Sequence, residues 1–255
     1  MTAAPRHRGR KKQARTDSPE EIARFSAMAE DWWNPNGKFR PLHQLNPIRI
    51  AYVRDSVIDC LHLDRRADRP LRGLKLIDIG CGGGLLAEPM ARLGATVTGI
   101  DASEESVRIA ETHARQGDLS IEYRRALPED LMDEGRTFDI VLNMEVVEHV
   151  SDLDTFFGAA TALLVSGGVT VVATLNRTLK SLALAKIGAE YVLRWLPIGT
   201  HDWRKFVRPS ELSGTLKRYG VDVVDRKGVE YNPLTDRWTK TNDLSVNYMV
   251  VGVKR

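Results

Sequence analysis

From Leu74 onward, short apolar runs alternate with stretches whose apolar residues recur at helical spacing. Runs of four to seven apolar-rich residues fit buried strands, and longer stretches with a 3.6-residue repeat fit helices packed on a sheet. The pattern predicts strands at Leu74–Ile79, Thr96–Ile100, Ser120–Tyr123, Phe138–Asn143 and Val169–Leu175. Helices are expected at Leu85–Leu93, Glu104–Gln116, Asp152–Leu164 and Pro209–Arg218. Such alternation implies a Rossmann-like α/β fold with a mostly parallel sheet. Val221–Arg226 and Val246–Val253 lack a long crossover between them and read as an antiparallel hairpin at the sheet edge. Upstream, Ser18 caps a helix over Pro19–Glu30, with Glu20 and Glu21 in its first turn. The stretch from Trp32 to Pro47 reads as turns, and Ile48–Leu61 as a helix.

The first strand runs into Asp78-Ile79-Gly80-Cys81-Gly82-Gly83-Gly84, and the second ends at Asp101. Strand, glycine turn and helix start bring backbone close to a nucleotide-like ligand, and an acid about 20 residues on is placed for the hydroxyls of a ribose. The glycines follow G-x-G-x-G, and Leu85 stands where a dinucleotide fingerprint has its third glycine. A pyrophosphate is therefore less well served than a phosphate-free ligand such as S-adenosylmethionine (SAM). A dinucleotide-dependent oxidoreductase is the alternative from another reaction class. A membrane-surface binding protein that keeps the fold without turnover is a further one.

Composition narrows the choice. The 255 residues are 42% hydrophobic and 28% charged, enough for one substantial core. Of the net +3, six positive charges lie within the first fifteen residues (Arg6, Arg8, Arg10, Lys11, Lys12, Arg15), so the remainder is net −3. Nucleic acid is not an expected partner. Residues 1–17 are expected to form a basic, disordered tail without the apolar core of a secretory signal. Only Cys60 and Cys81 are present, too few for a disulfide framework or a metal knuckle, and no apolar run is long enough to span a membrane.

Four stretches are similar to the ubiquinone biosynthesis O-methyltransferase family: Trp32-Trp33-Asn34 with Gly37–His43 and Leu45-Asn46-Pro47; Asn143–Val150; Gly199–Trp203 with Lys205, Phe206 and Pro209; and Tyr231-Asn232-Pro233. The resemblance implies a class I SAM-dependent methyltransferase fold over residues 71–255, with seven strands and an antiparallel C-terminal hairpin. Residues 18–70 then contribute helices that cover cofactor and substrate. It further implies O-methylation of phenolic or catecholic hydroxyls on polyprenylated ubiquinone precursors. A cytoplasmic location at the inner membrane face and a complex of ubiquinone-synthesis enzymes are the implied setting. The enzymatic alternative is another small-molecule methyltransferase of this fold, acting at carbon or nitrogen.

By the same resemblance Arg40, Gly80, Asp101 and Met144 contact SAM, and Gly82 shares the turn. Arg40 offers a planar fork for the methionyl carboxylate. Leu127 and Pro128 are expected at the adenine edge. Glu145, Glu148 and His149, at i, i+3 and i+4, are expected to project from one helical face. Two carboxylates and an imidazole are candidate ligands for a divalent cation, magnesium first, that would activate the phenol. Glu145 and His149 are the candidate catalytic residues, His149 serving as general base where no metal acts. The stretch 177–203 interrupts the pattern and carries Leu179, Leu182, Leu184 and Trp195 beside Lys180, Lys186, Glu190 and Arg194. It suits a lid over a greasy substrate or an element lying on an anionic membrane surface. His201, Asp202 and Trp203 are expected to line the acceptor pocket.

Overall fold

The structure is a computed structural model and describes residues 15–184, 202–232 and 234–255. Its elements are α1 (Pro19–Ser26), α2 (Arg40–Cys60), β1 (Lys75–Ile79), α3 (Ala87–Arg92), β2 (Thr96–Asp101), α4 (Glu104–Gln116), β3 (Glu122–Arg125) and α5 (Pro128–Asp133). There follow β4 (Phe138–Met144), α6 (Leu153–Ala162), β5 (Leu164–Leu175), the single turn α7 (Leu179–Ser181), α8 (Pro209–Arg218), β6 (Val221–Asn232), β7 (Arg237–Thr241) and β8 (Asn247–Lys254). One sheet has the order β3-β2-β1-β4-β5-β8-β6-β7. The first five strands are parallel; β8 lies antiparallel between β5 and β6.

Each central strand feeds two cores, because successive side chains leave a strand on opposite faces. Leu76, Ile140, Val171 and Met249 join Tyr52 and Val53 of α2 and Met90 of α3 on one face. Their neighbours Ile77, Val141, Val172 and Val250 meet Phe156 and Phe157 of α6 and Leu212 of α8 on the other. A strand buried on both faces reads as continuous apolar sequence, which is why β1, β4 and β5 were visible in the sequence.

Three expectations change. The sheet has eight strands, because β6 continues to Asn232 and β7 folds back along it, pairing Tyr231 with Trp238. Beyond the antiparallel β6–β8 pair there is thus an extra edge strand. The supposed turn before Ile48 is helix: α2 starts at Arg40, with Pro41 in its first turn and Pro47 inside. Pro41 sits where no intrahelical N–H bond is needed, whereas Pro47 costs about 3 kcal/mol. Burial of Leu45, Tyr52, Val53, Val57 and Ile58 along the same helix, at about 1.5–3 kcal/mol each, outweighs it. Finally, α1 stops at Ser26 and a 3₁₀ turn at Ala29–Asp31 carries the chain to Trp32. That connection forms a third small core of Met28, Ala29, Trp32, Phe39 and Leu85 against the glycine turn.

Candidate active site

A cavity of about 550 Å³ opens at the carboxyl ends of β1, β2 and β4, covered by α1 and the start of α2. This is where open α/β sheets bind ligands. Its floor is the glycine turn. Gly80 and Cys81 both donate their N–H to the Ile100 carbonyl, at 2.8 and 3.0 Å, which folds the chain sharply off β1. Gly80 has φ +70°, and a Cβ there would stand 2.4 Å from the Val146 side chain. Only glycine meets both demands.

Asp101 ends β2 with its carboxylate clamped from two sides. Oδ2 accepts the Gly82 N–H at 2.9 Å, and Oδ1 accepts the Ser103 N–H at 2.8 Å. Burial pushes its pKa up, while these backbone donors oppose the rise. Each oxygen keeps a second lone-pair direction for a ligand hydroxyl. Asp78, buried on β1, is pushed up to about 7, by desolvation first and the Asp101 charge second. Gly80, Gly82, Asp101, Leu127, Pro128 and Met144 all line this one cavity, so the structure brings those sequence-derived candidates together.

Trp32, itself a lining residue of the cavity, and Trp33 strap the turn. Trp32 stacks on Phe39 with ring centroids 3.8 Å apart and donates to Ser106 Oγ at 3.1 Å. Trp33 donates to the Gly83 carbonyl at 2.8 Å and stacks on His113.

Arg40 is not among the residues that line the cavity. It is partly exposed and pairs with Asp236 at 2.8 Å, so here it makes a surface ion pair. The arginine in the cavity is Arg49, about two and a half helical turns further along α2 and so on its opposite face. Its side chain is 7% exposed, and Nη2 donates to Glu145 Oε1 at 2.6 Å. The sequence carried a signal for it: Leu45, Arg49, Tyr52 and Val53 share one buried helical stripe, and an arginine at an apolar position of such a stripe marks a buried charge with a partner.

The stretch after β4 departs most from expectation. Residues 145–149 form a turn, and Glu145 has φ +59°, a conformation uncommon for a side chain larger than glycine. Glu145, Glu148 and His149 therefore do not project from one helical face. Glu145 Oε1 also accepts from Asn247 Nδ2 at 3.0 Å. Burial by itself would raise the Glu145 pKa, but the Arg49 charge, with hydrogen bonds from Glu148, Asn247 and Arg49, holds it low. Glu148 is pushed well up, by burial and then by the Glu145 charge. Its Oε2 accepts from Thr174 at 2.8 Å, and Oε1 faces no donor. A proton on Glu148, shared with Glu145, is the arrangement that avoids two adjacent buried anions. His149 turns the other way, with Nδ1 3.0 Å from Glu21 Oε2 of α1. All three residues still line the cavity. Among the described residues, however, no group of three His, Cys, Asp or Glu side chains is arranged to hold a metal ion. The expected cation site on Glu145, Glu148 and His149 does not fit this arrangement, since the imidazole and the carboxylate pair answer to different partners.

The far end of the cavity is greasier, with Val229 and Tyr231 from β6, Trp238 from β7 and Leu184. Asp202 and Trp203 are not among its lining residues. Asp202 caps a 3₁₀ turn, and Trp203 donates to the Thr178 carbonyl at 2.8 Å. His201, Lys186, Glu190, Arg194, Trp195, Pro233 and the arginines and lysines before Arg15 lie outside the described residues. Glu21, Arg49, Asp78 and Trp238 escaped the sequence reading as site residues. Arg49 and Asp78, which opens the glycine-turn motif, carried a local signal; Glu21 and Trp238 did not, because their meaning depends on partners far along the chain.

Comparison with known proteins agrees with this architecture. A sequence profile described as "Methyltransferase domain" matches residues 51–226. The chain is 56% identical over 234 residues to a Mesorhizobium japonicum protein named ubiquinone biosynthesis O-methyltransferase, covering 92% of this chain and 94% of that one. A protein of the same name from Chelativorans sp. is 58% identical, with 92% of each chain covered. Among solved structures, magnesium protoporphyrin IX methyltransferase from Synechocystis, with S-adenosylhomocysteine bound, superposes with a TM-score of 0.65 at 21% identity. The match covers 92% of this chain and all of that one.

Proposed function

Because the chain belongs to the ubiquinone biosynthesis O-methyltransferase family, we propose that it methylates a phenolic or catecholic hydroxyl of a polyprenylated ubiquinone precursor, with His149 taking the hydroxyl proton. The observation that carries this reading is that the glycine turn, Asp101, His149 and the apolar Val229, Tyr231, Trp238 and Leu184 all line one cavity.

SAM supplies an electrophilic methyl group on a sulfonium. The acceptor oxygen attacks the methyl carbon in line, the carbon–sulfur bond breaks, and its electron pair neutralises the sulfur, leaving S-adenosylhomocysteine. A phenol ionises near pH ~10, so forming its anion at neutral pH costs about 4 kcal/mol. A base beside the oxygen removes most of that cost. His149 suits the task because a neutral imidazole carries a nitrogen lone pair that can take a proton. Holding acceptor and donor in one cavity supplies the rest by converting an encounter into an oriented reaction. Asp101 is assigned the ribose hydroxyls, Leu127 and Pro128 the adenine, and Met144 the apolar side of the adenosyl group. Arg49 takes the carboxylate role first read onto Arg40, since a planar guanidinium inside the cavity fits that group. Glu145 holds Arg49 in place.

The acceptor's long apolar tail implies a meeting at a membrane surface. In support, Leu179 is 78% exposed and Leu184 54%, with Lys180 between them. Leu184 and Lys180, the latter paired with Asp243 at 2.6 Å, also line the cavity, so this apolar edge adjoins the acceptor end. No helix among the described residues is long and apolar enough to cross a membrane.

The test is methyl transfer from labelled SAM to short-tailed demethylubiquinol and to a polyprenyl catechol, with and without chelator, by the wild type and by His149→Gln. Turnover that survives chelation and falls at least about a hundredfold in His149→Gln is expected. No transfer to either phenol would sink the substrate assignment. Loss of turnover on chelation, restored by magnesium, would return the acidic cluster to a metal role. Sedimentation with anionic liposomes tests the surface encounter, and Leu179→Glu with Leu184→Glu should reduce it.

A further inference from the structure

The helix α1 has no fully buried residue, yet it closes one side of the cavity. Polar contacts fix it at both ends. Just before it, the carbonyl of buried Thr16 accepts the Ser151 N–H at 3.0 Å, and its last residue, Ser26, meets Ser103 Oγ at 2.8 Å. Between these anchors, Glu21 Oε2 lies 3.0 Å from His149 Nδ1, each side chain 15% exposed. One turn on, Phe25 meets the imidazole edge-on, with centroids 5.2 Å apart and planes at 86°.

We propose that Glu21 is a positioning residue for His149: its carboxylate holds the ring with Nδ1–H towards α1 and leaves the lone pair of Nε2 for the acceptor hydroxyl. This rests on the reading of His149 as the base. An ionised carboxylate can only accept hydrogen bonds, so an Nδ1 bonded to it must carry the proton, and a neutral imidazole then has its free lone pair on Nε2. The 3.0 Å contact between Glu21 Oε2 and Nδ1, with each side chain only 15% exposed, sets the carboxylate as the acceptor of Nδ1–H. Phe25 restricts rotation of the ring about its bond to the chain. When Nε2 takes the acceptor's proton, the imidazolium that forms faces a carboxylate already in place, which stabilises charge as it develops. The base is thereby assembled from two parts of the chain, and it is complete only while α1 is docked.

The experiment measures kcat, KM for the phenol and SAM affinity for Glu21→Gln, His149→Gln and the double variant. Glu21→Gln keeps the size of the side chain but offers an amide that can favour the other tautomer. Its kcat should fall about 10–100-fold with SAM affinity within about twofold of wild type. In the His149→Gln background the same change should have no further effect, because the two act as one unit. Wild-type kcat in Glu21→Gln, or equal additional losses in the His149→Gln background, overturns the inference. Should Glu21→Gln not fold, Glu21→Asp, which sets the charge back by one methylene, is judged by the same kcat and affinity criteria. Normal turnover by His149→Gln would instead defeat the underlying base assignment. An inactive His149→Gln beside a fully active Glu21→Gln defeats only the positioning role.

Discussion

Arg49 Nη2 stands 2.6 Å from Glu145 Oε1, joining the middle of α2 to the turn that leaves β4. The guanidinium is nearly inaccessible, and Glu145 sits at φ +59°, so an uncommon backbone conformation and a buried charge pair occur at the same wall of the cavity. Such a pair is dear to break from one side, because the remaining charge is left in a poor solvent.

Replacing Arg49 by methionine should therefore cost about 3–5 kcal/mol of stability and abolish measurable SAM binding. Adding Glu145→Gln should return much of the stability but not the binding. Arg40→Ala, which removes only an exposed pair with Asp236, should cost no more than about 1 kcal/mol and leave SAM affinity unchanged. Urea unfolding and calorimetry on the three variants and the wild type decide it. Weaker SAM binding in Arg40→Ala than in Arg49→Met would restore the sequence assignment.

The fit of the glycine turn beneath Trp32 makes a second prediction. A Cβ on Gly82 would stand 2.4 Å from two atoms of the Trp32 ring, at a residue with φ +52°. Overpacking together with an unfavourable backbone conformation should cost Gly82→Ala about 2–4 kcal/mol. In a Trp32→Ala background the same change should cost less, since the clash is gone. Additive losses in thermal unfolding would show that the strap does not press on the turn.

Asp101→Asn keeps the shape of the side chain but leaves one acceptor oxygen for the Gly82 and Ser103 N–H groups together. It also removes the charge offered to a ribose. A hydrogen bond to a charged group is worth about 1.5–3 kcal/mol, so SAM affinity should fall about 10–100-fold. Unchanged affinity by calorimetry would place the ribose elsewhere.

Asp78 sets a pH dependence. Its carboxyl is raised to about 7 by burial, with the Asp101 charge adding to the shift. The folded, ligand-free protein thus holds a proton that the unfolded chain gives up nearer pH 4. Between about pH 4 and 7 this group makes the ligand-free fold less stable as pH rises. A bound cation favours the ionised form, so SAM should bind more tightly at pH 8 than at pH 6 and release a proton as it does. Calorimetry in buffers of different ionisation enthalpy measures that release. Asp78→Asn should remove it, and an identical release from the variant would assign it to another group.

The amino-acid sequence by itself determined the elements whose cause is local. Apolar runs made β1, β4 and β5, a glycine turn after β1 made the cofactor floor, and Asp101 followed at the tip of β2 because strand length and spacing place it there. Tertiary structure decided what depends on partners distant in the chain. Pro47 lies within α2 because buried side chains on either side of it outweigh its missing hydrogen bond. Arg49 rather than Arg40 enters the cavity because β4 delivers Glu145 to meet it, and His149 faces Glu21 across 128 positions because α1 folds back over the sheet edge. Periodicity reports which face of an element is apolar, a property of neighbouring residues. The pairing of buried charges is settled only when the sheet brings separate segments within a few ångströms, where desolvation makes the choice of partner decisive.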